Sequence, residues 1–230
     1  MMDFSVIIPT RDRPQYLHEA VSSVFQQSIQ NLQVIVVDDG AEQPLLKPDP
    51  RLSVVSNDMK GAVAARNLGV AEAHGKYIAF LDDDDIWTDD SHLAKALEAL
   101  SNKVDFYFAD GMMRYPSGER KLFARDASAT TLAHDNTILI STVSYSKSLH
   151  SALGEFDELL PYYWDWDWYL RVARGNFAME RNATPVVDIR VHAQNMSGDS
   201  NVLARQSNLD LLCAKHRLSG IALKNHTDFV

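Results

Sequence analysis

The chain has 230 residues, 46% of them apolar and 23% charged, an ordinary globular composition in a length that can enclose a sizeable core. A formal net charge of −9 argues against a nucleic-acid partner. One cysteine, Cys213, rules out an intrachain disulfide; the N-terminus has an acid where a leader would be basic, and no apolar run is long enough for a transmembrane segment. The expectation is a soluble cytoplasmic protein, with peripheral membrane association through a partner left open.

Phe4 to Pro9 is a continuous apolar run, predicting a strand buried on both faces, and the polar loop Thr10-Arg11-Asp12-Arg13 follows it. Pro14 suits a first helical position, and Leu17, Ala20, Val21, Val24 and Phe25 mark one helical face. Leu32 to Val37 predicts a second buried strand, ending in Asp38-Asp39-Gly40. Leu52 to Val55 reads as a third strand, and Ala62 to Ala73 as a second helix with Gly75 near its end. Tyr77 to Leu81 is a fourth strand running straight into Asp82, and Ser91 to Leu100 a third helix.

The second half is less regular. Phe106 to Phe108 predicts a strand, Met112 to Phe123 a hairpin turning at Pro116-Ser117-Gly118, and Ile138 to Tyr145 a β-rich stretch. Trp166 to Ala173 is helical, Val186 to Val191 a strand, and about Val202 to His216 a final helix. Alternating strands and helices predict an α/β fold, a mostly parallel sheet with helices on both faces. The whole chain, 1–230, reads as one domain, with a first half to about residue 110 and a second half ending in the last helix.

Six of the nine residues from Asp82 to Asp90 are aspartates, a density that repels itself unless a cation or solvent offsets it. In an open parallel sheet ligands bind beyond the carboxyl ends of the strands, where both Asp38-Asp39 and Asp82 to Asp85 fall. Carboxylates at that place suit a hard divalent cation, Mn2+ or Mg2+, paired with a phosphorylated substrate. Asp89 and Asp90, just before a helix, are better read as acids favouring its N-terminus. Asp165 lies among Tyr162, Tyr163, Trp164, Trp166 and Trp168, rings that can desolvate a carboxylate and raise its pKa, stack on a sugar, or simply pack a core. Arg66 reads as a phosphate or nucleotide contact set against a surface ion pair, and His192 as evenly balanced between a structural and a liganding role.

In order, Ser-Val-Ile-Ile-Pro-Thr-Arg-Asp-Arg-Pro at 5–14, Ser23 to Ser28, Val-Ile-Val-Val-Asp-Asp-Gly at 34–40, Ala65 to Gly69, and Ala73 to Asp85 with Trp87 resemble the inverting GT-A glycosyltransferases of family 2. Gly154 to Glu158, and Trp164-Asp165-Trp166-Asp167, resemble that family's acceptor-side motifs, and the resemblance covers about residues 4 to 198. It implies a GT-A fold, a Rossmann-like sheet whose first half binds a nucleotide-sugar, with a smaller acceptor-side lobe. It also implies transfer of a sugar from a nucleoside-diphosphate sugar, with UDP the expected nucleotide, to a carbohydrate or glycolipid acceptor. Position by position, Pro9, Thr10, Arg11, Asp39 and Arg66 match the family's nucleotide contacts, with Asp39 reading the base. Asp82-Asp83-Asp84 matches its Asp-x-Asp motif, in which Asp82 and Asp84 hold the metal and Asp82 and Asp83 face the diphosphate. His192, within 190–197, matches a late histidine that reaches the metal or the diphosphate. Asp165 matches the general base, with Trp164, Trp166 and Asp167 on the acceptor side and Asp167 as understudy for the base. Ala41, Arg11 and Trp164 depart from the family's usual residues.

Two other readings compete. A sugar-1-phosphate nucleotidyltransferase needs a glycine-rich loop after the first strand, where this chain has Pro9 to Pro14 without glycine. A non-catalytic nucleotide-sugar-binding domain would not need both the acidic cluster and the base-position acid.

Overall fold

The computed structural model describes residues 2–41, 44–192, 195 and 202–224. Strands β1 (Phe4–Thr10), β2 (Leu32–Asp38), β3 (Leu52–Ser56) and β4 (Tyr77–Phe80) run parallel in the order β3-β2-β1-β4. Their side chains alternate between two apolar layers, as strands buried on both faces must. Phe4, Val6 and Ile8 of β1 pack with Val34 and Val36 on one face; Ile7, Ile35 and Val37 point to the other. Helices α1 (Pro14–Phe25) and α3 (His92–Ser101) cover the first face through Leu17, Ala20, Val24, Leu93 and Ala96. Helix α2 (Ala62–Ala71) covers the second through Val63, Ala65 and Val70. The two-sided α/β arrangement expected from sequence is therefore present.

Gly75 does a different job from the helix end expected of it. The C-cap of α2 is Glu72, in right-handed conformation. A Cβ at Gly75 would stand 2.5 Å from the Phe4 carbonyl carbon, and the Gly75 N–H donates to Ser5 Oγ at 2.8 Å. A side chain there would push β1 and the turn before β4 apart.

Beyond β4 the sheet becomes mixed. Strand β5 (Ile86–Trp87) is short; β6 (Phe106–Arg114) is one continuous strand and turns into β7 (Arg120–Phe123), the expected hairpin. Strands β8 (Ser144–Ser146) and β9 (Met179–Arg190) complete the order β4-β8-β6-β9-β5, with β7 also paired to β6. The stretch 138–145 is not a strand throughout: Ile140–Thr142 form a 3-10 turn, and only the residues after it join the sheet. Ser141 turns inward to bond Asp82 and Asp85 of the aspartate loop, and Thr142 Oγ1 donates to the Leu139 carbonyl of its own turn, in place of a ladder. Strand β9 starts seven residues before its apolar run, because a register shift beside Asp110 lets its polar half follow β6. Arg181 closes that irregularity with Nε and Nη2 at 2.8 and 2.9 Å from the Asp110 carboxylate.

Helices α4 (Ala129–Leu132), α5 (Lys147–Leu153), α6 (Trp164–Arg174) and α7 (Val202–His216) lie on the α2 side of the sheet. Trp168, fully buried, anchors α6 among Phe106, Tyr145, His150 and Phe156. Among the described residues no helix is long and apolar enough to cross a membrane.

Candidate active site

The carboxyl ends of β1, β2 and β4 open into one cleft of about 620 Å3. Thr10 closes β1, Asp38-Asp39 follow β2, and Leu81 leads from β4 into the aspartate loop, so the strand register itself brings these groups together. Pro9, Thr10, Arg11, Asp39, Arg66, Asp82 to Asp85, Trp164, Asp165 and Trp166, all singled out from sequence, line that cleft.

On the nucleotide side Asp39 is buried, and its Oδ1 accepts from Asn57 Nδ2 at 2.6 Å and from the Gly61 N–H at 3.0 Å. That fixes the turn into α2, while Oδ2 faces Arg11 at 3.8 Å. A Cβ at Gly40 would meet Asp12 Oδ1 at 2.6 Å and displace that carboxylate. Asp12, in left-handed conformation, uses that oxygen to accept the Ala41 N–H.

The aspartate loop is held from several directions. Thr10 Oγ1 donates to Asp83 Oδ2 at 2.7 Å, and Arg13 reaches Asp83 at 3.2 Å and Asp84 at 2.5 Å. Arg66 Nη2 bonds Asp82. Ser141 accepts the Asp82 N–H at 3.0 Å and donates to Asp85 Oδ2 at 2.6 Å, and Asp85 also accepts the Arg190 N–H. His192 Nε2 lies 3.0 Å from Asp84 Oδ2, its ring stacked on Tyr16. Carboxylate oxygens of Asp82, Asp84 and Asp85 fall within 4.8 Å of one another. Three carboxylates and an imidazole make a donor set that fits Mn2+ or Mg2+.

The charges respond to this crowding. Burial pushes Asp83 up to about 6, with Asp84 and Asp82 adding to it and Arg13 and Thr10 opposing it. Burial, then Asp84 and Asp82, push Asp85 well above the usual carboxylate range. Burial acts on Asp84 too, but the His192 hydrogen bond and the Arg13 charge outweigh it and hold Asp84 low. A dication at this place would favour the ionised form of all three liganding acids.

Asp165 stands in the first turn of α6, crowded by protein yet open to the cleft. Loss of water around it pushes its pKa up to about 6, against the pull of the Asn136 hydrogen bond. Asn136 Nδ2 donates to Asp165 Oδ2 at 2.8 Å. Trp164 lies under the Arg66 guanidinium, and Trp166 donates from Nε1 to the Leu132 carbonyl at 2.7 Å, so both rings pack the wall as well as lining it.

Asp167 does not join them. Its side chain is fully buried against α7, with Arg171 at 3.0 Å, Lys215 at 2.6 Å and His216 at 2.7 Å, and does not line the cleft. Helical geometry explains the divergence, since residues two apart point to opposite sides of a helix. Asp89 lies two residues before the N-cap of α3, which has no side-chain cap bond; burial raises its pKa, but Lys95 and Ser91, from which it accepts, outweigh that and hold it at about 2. Within 190–197, residues 193, 194, 196 and 197 lie outside the described residues, while Asn195 sits 3.5 Å from Asp84. Asn57, Asn136 and Ser141 carried no sequence signal, because a lone amide or hydroxyl in a loop has no pattern until its partner is known.

The sequence profile described as "Glycosyl transferase family 2" matches residues 5–149. The chain is 32% identical to the Bacillus subtilis protein named uncharacterized glycosyltransferase YwdF, over 97% of this chain and 88% of that one. S. aureus TarS 1–349 in complex with UDP-GlcNAc superposes with a TM-score of 0.71 at 17% identity, covering 93% of this chain and 66% of that one. The Pyrobaculum calidifontis mannosyltransferase PcManGT, in complex with GDP-Man and Mn2+, superposes with a TM-score of 0.69 at 18% identity, covering 98% of this chain and 66% of that one. Those likenesses carry the GT-A fold, and the profile and the Bacillus relative carry the family. The chain belongs to glycosyltransferase family 2 and is a glycosyltransferase.

Proposed function

We propose that the enzyme transfers a sugar, with inversion, from a UDP-sugar to an acceptor hydroxyl, in a reaction that needs Mn2+ or Mg2+. The observation that carries this reading is the pairing of an acidic cluster and a proton-accepting carboxylate in one cleft. Asp82, Asp84 and Asp85 lie at one wall and Asp165, lifted to about 6, at another. A divalent ion held by those acids, with His192 beside them, would neutralise the leaving diphosphate.

Asp39 and Arg11 read the base from the β2 end, while Arg13 and Arg66 are positioned to turn from their aspartates toward phosphate oxygens. Asp165 takes the proton of the acceptor hydroxyl as that oxygen attacks the sugar carbon from the side opposite the diphosphate. Its raised pKa makes it a stronger base than an exposed aspartate, and Asn136 fixes which oxygen faces the cleft. No covalent enzyme intermediate is needed. The chain works as one unit, since the nine-stranded sheet runs through both halves. A single cysteine, with no disulfide to protect, fits a cytoplasmic place of work.

Thermal shift with UDP, dTDP and GDP, each with Mn2+ or with EDTA, tests the donor. Because a ligand of the native state stabilises by mass action, UDP with Mn2+ gives the largest rise. A larger rise with GDP would reassign the donor, and equal rises with EDTA would remove the metal.

A further inference from the structure

The cleft that holds Asp165 is also lined by Ile138, Leu139, Pro161, Leu209 and Ile221, an apolar wing of its wall. Two cationic side chains enter this wing, Arg205 from α7 and Lys224 from the segment after it. Arg205 is 2% exposed and is oriented by the Tyr163 hydroxyl and by the Lys224 carbonyl, to which Nη2 donates. Lys224 Nζ lies 2.6 Å from Asp135 Oδ2, and that same oxygen takes Arg125 Nη1 at 3.0 Å, so one carboxylate oxygen serves two cations.

The wing is tied to the reaction centre at two points. Asp135 is followed by Asn136, whose amide holds Asp165, and Tyr163, which holds Arg205, begins the turn that carries Asp165. A charge recognised here therefore sits next to the acceptor hydroxyl. The donor side mixes carboxylates with Arg11, Arg13 and Arg66, and on the acceptor side Arg205 and Lys224 stand with Asp135 and Asp165 against apolar walls. A neutral sugar gives no reason to hold such groups in a partly desolvated place. A phosphate does, because its oxygens match the guanidinium fork and accept charge-assisted hydrogen bonds.

We propose that the acceptor carries a phosphate or diphosphate group, bound by Arg205 and Lys224 beside Asp165, with an apolar portion against Leu139, Pro161 and Ile221. This names the acceptor class of the glycosyltransferase reading above and rests on it. Phosphate can arrive on a lipid or on a soluble sugar, and the two share the anion but not the apolar portion.

Calorimetric titration of the full chain, first saturated with UDP and Mn2+, separates these cases with farnesyl diphosphate, farnesol and glucose 1-phosphate as probes. Farnesyl diphosphate binds, farnesol binds at least about tenfold more weakly, and Lys224→Gln and Arg205→Gln each weaken the diphosphate by about tenfold or more. Binding of glucose 1-phosphate alone, lost in the same variants, supports the phosphate site with a soluble source. Failure of both phosphorylated probes to bind, or wild-type binding by Lys224→Gln, overturns the proposal. Lys224 is about a third exposed, so its variant carries the test should Arg205→Gln fail to fold. If UDP itself does not bind, the donor reading fails, and titration of the unliganded protein still decides the phosphate site.

Discussion

The guanidinium carbon of Arg66 lies 4.5 Å above the ring of Trp164. Arg66 comes from α2 and also bonds Asp82, while Trp164 opens α6 and is followed by Asp165. One stacked pair thus couples the acidic cluster to the helix that carries the base. It also gives Trp164, which departs from the family's usual residue, a local role beneath Arg66. Removing the ring in Trp164→Leu frees Arg66, with a loss of about 0.5–2 kcal/mol for a cation over an aromatic face. UDP affinity in Mn2+, measured by calorimetry, should fall by between about twofold and thirtyfold. An unchanged affinity would leave the stack a packing contact.

The acidic cluster predicts a dependence on metal that can be read without turnover. Asp82→Ala and Asp84→Ala should each abolish the extra melting-temperature rise that Mn2+ gives to UDP, because each removes a carboxylate oxygen from the set. Each substitution also breaks an ion pair, Arg66–Asp82 or Arg13–Asp84, so the unliganded variants should lose some stability yet remain folded, which their unliganded melting curves check. Metal-enhanced stabilisation that persists in both variants would exclude these acids as ligands.

Asp167 should matter for stability and not for the proton. Its fully buried carboxylate holds Arg171, Lys215 and His216 together, and losing one member of a buried ion-pair network costs about 3–5 kcal/mol. Asp167→Asn should therefore melt well below the wild type yet still transfer sugar at a temperature where it is folded. The partners outweigh burial and hold the Asp167 pKa below its ordinary value, so its contribution is present at neutral pH and lost as pH falls through the folded pKa. The stability gap between wild type and variant should accordingly narrow in acid. An inactive but normally stable variant would return Asp167 to candidacy as the base.

Much of the fold could be read from the sequence because apolar periodicity is local. The uninterrupted runs at Phe4 to Pro9 and Leu32 to Val37 could only be strands covered on both sides, and their acidic ends marked where ligands go. What escaped was structure whose cause lies elsewhere in the chain. The 3-10 turn at Ile140–Thr142 exists because Ser141 is needed at Asp82 and Asp85, far away in sequence. The polar half of β9 is held by Arg181 on Asp110 rather than by apolar residues. Asp165 and Asp167 look equivalent in Trp-Asp-Trp-Asp, and only the facing of α6 toward the cleft on one side and α7 on the other distinguishes them.

The last prediction concerns Asp165, on which the mechanism depends. Burial raises its pKa from 3.8 to about 6, and a base must be ionised to act, so kcat/KM should fall below a midpoint near pH 6. The Asn136 hydrogen bond favours the charged form, and its loss in Asn136→Ala should move that midpoint upward, toward neutral. Asp165→Asn should retain UDP and Mn2+ binding while transfer drops by about 10²–10⁴, the scale of general-base catalysis. The stability effect has the opposite sign. With its pKa raised on folding, Asp165 binds its proton more tightly in the folded state, so stability declines as pH rises from about 4 to about 6. Above that window the ionised carboxylate opposes folding, and an amide that keeps the Asn136 bond relieves it. Asp165→Asn should thus melt at or above the wild-type temperature at pH 7.5 while being the least active variant. Near-normal transfer by this variant, or a product that NMR shows with retained anomeric configuration, would remove Asp165 from the mechanism.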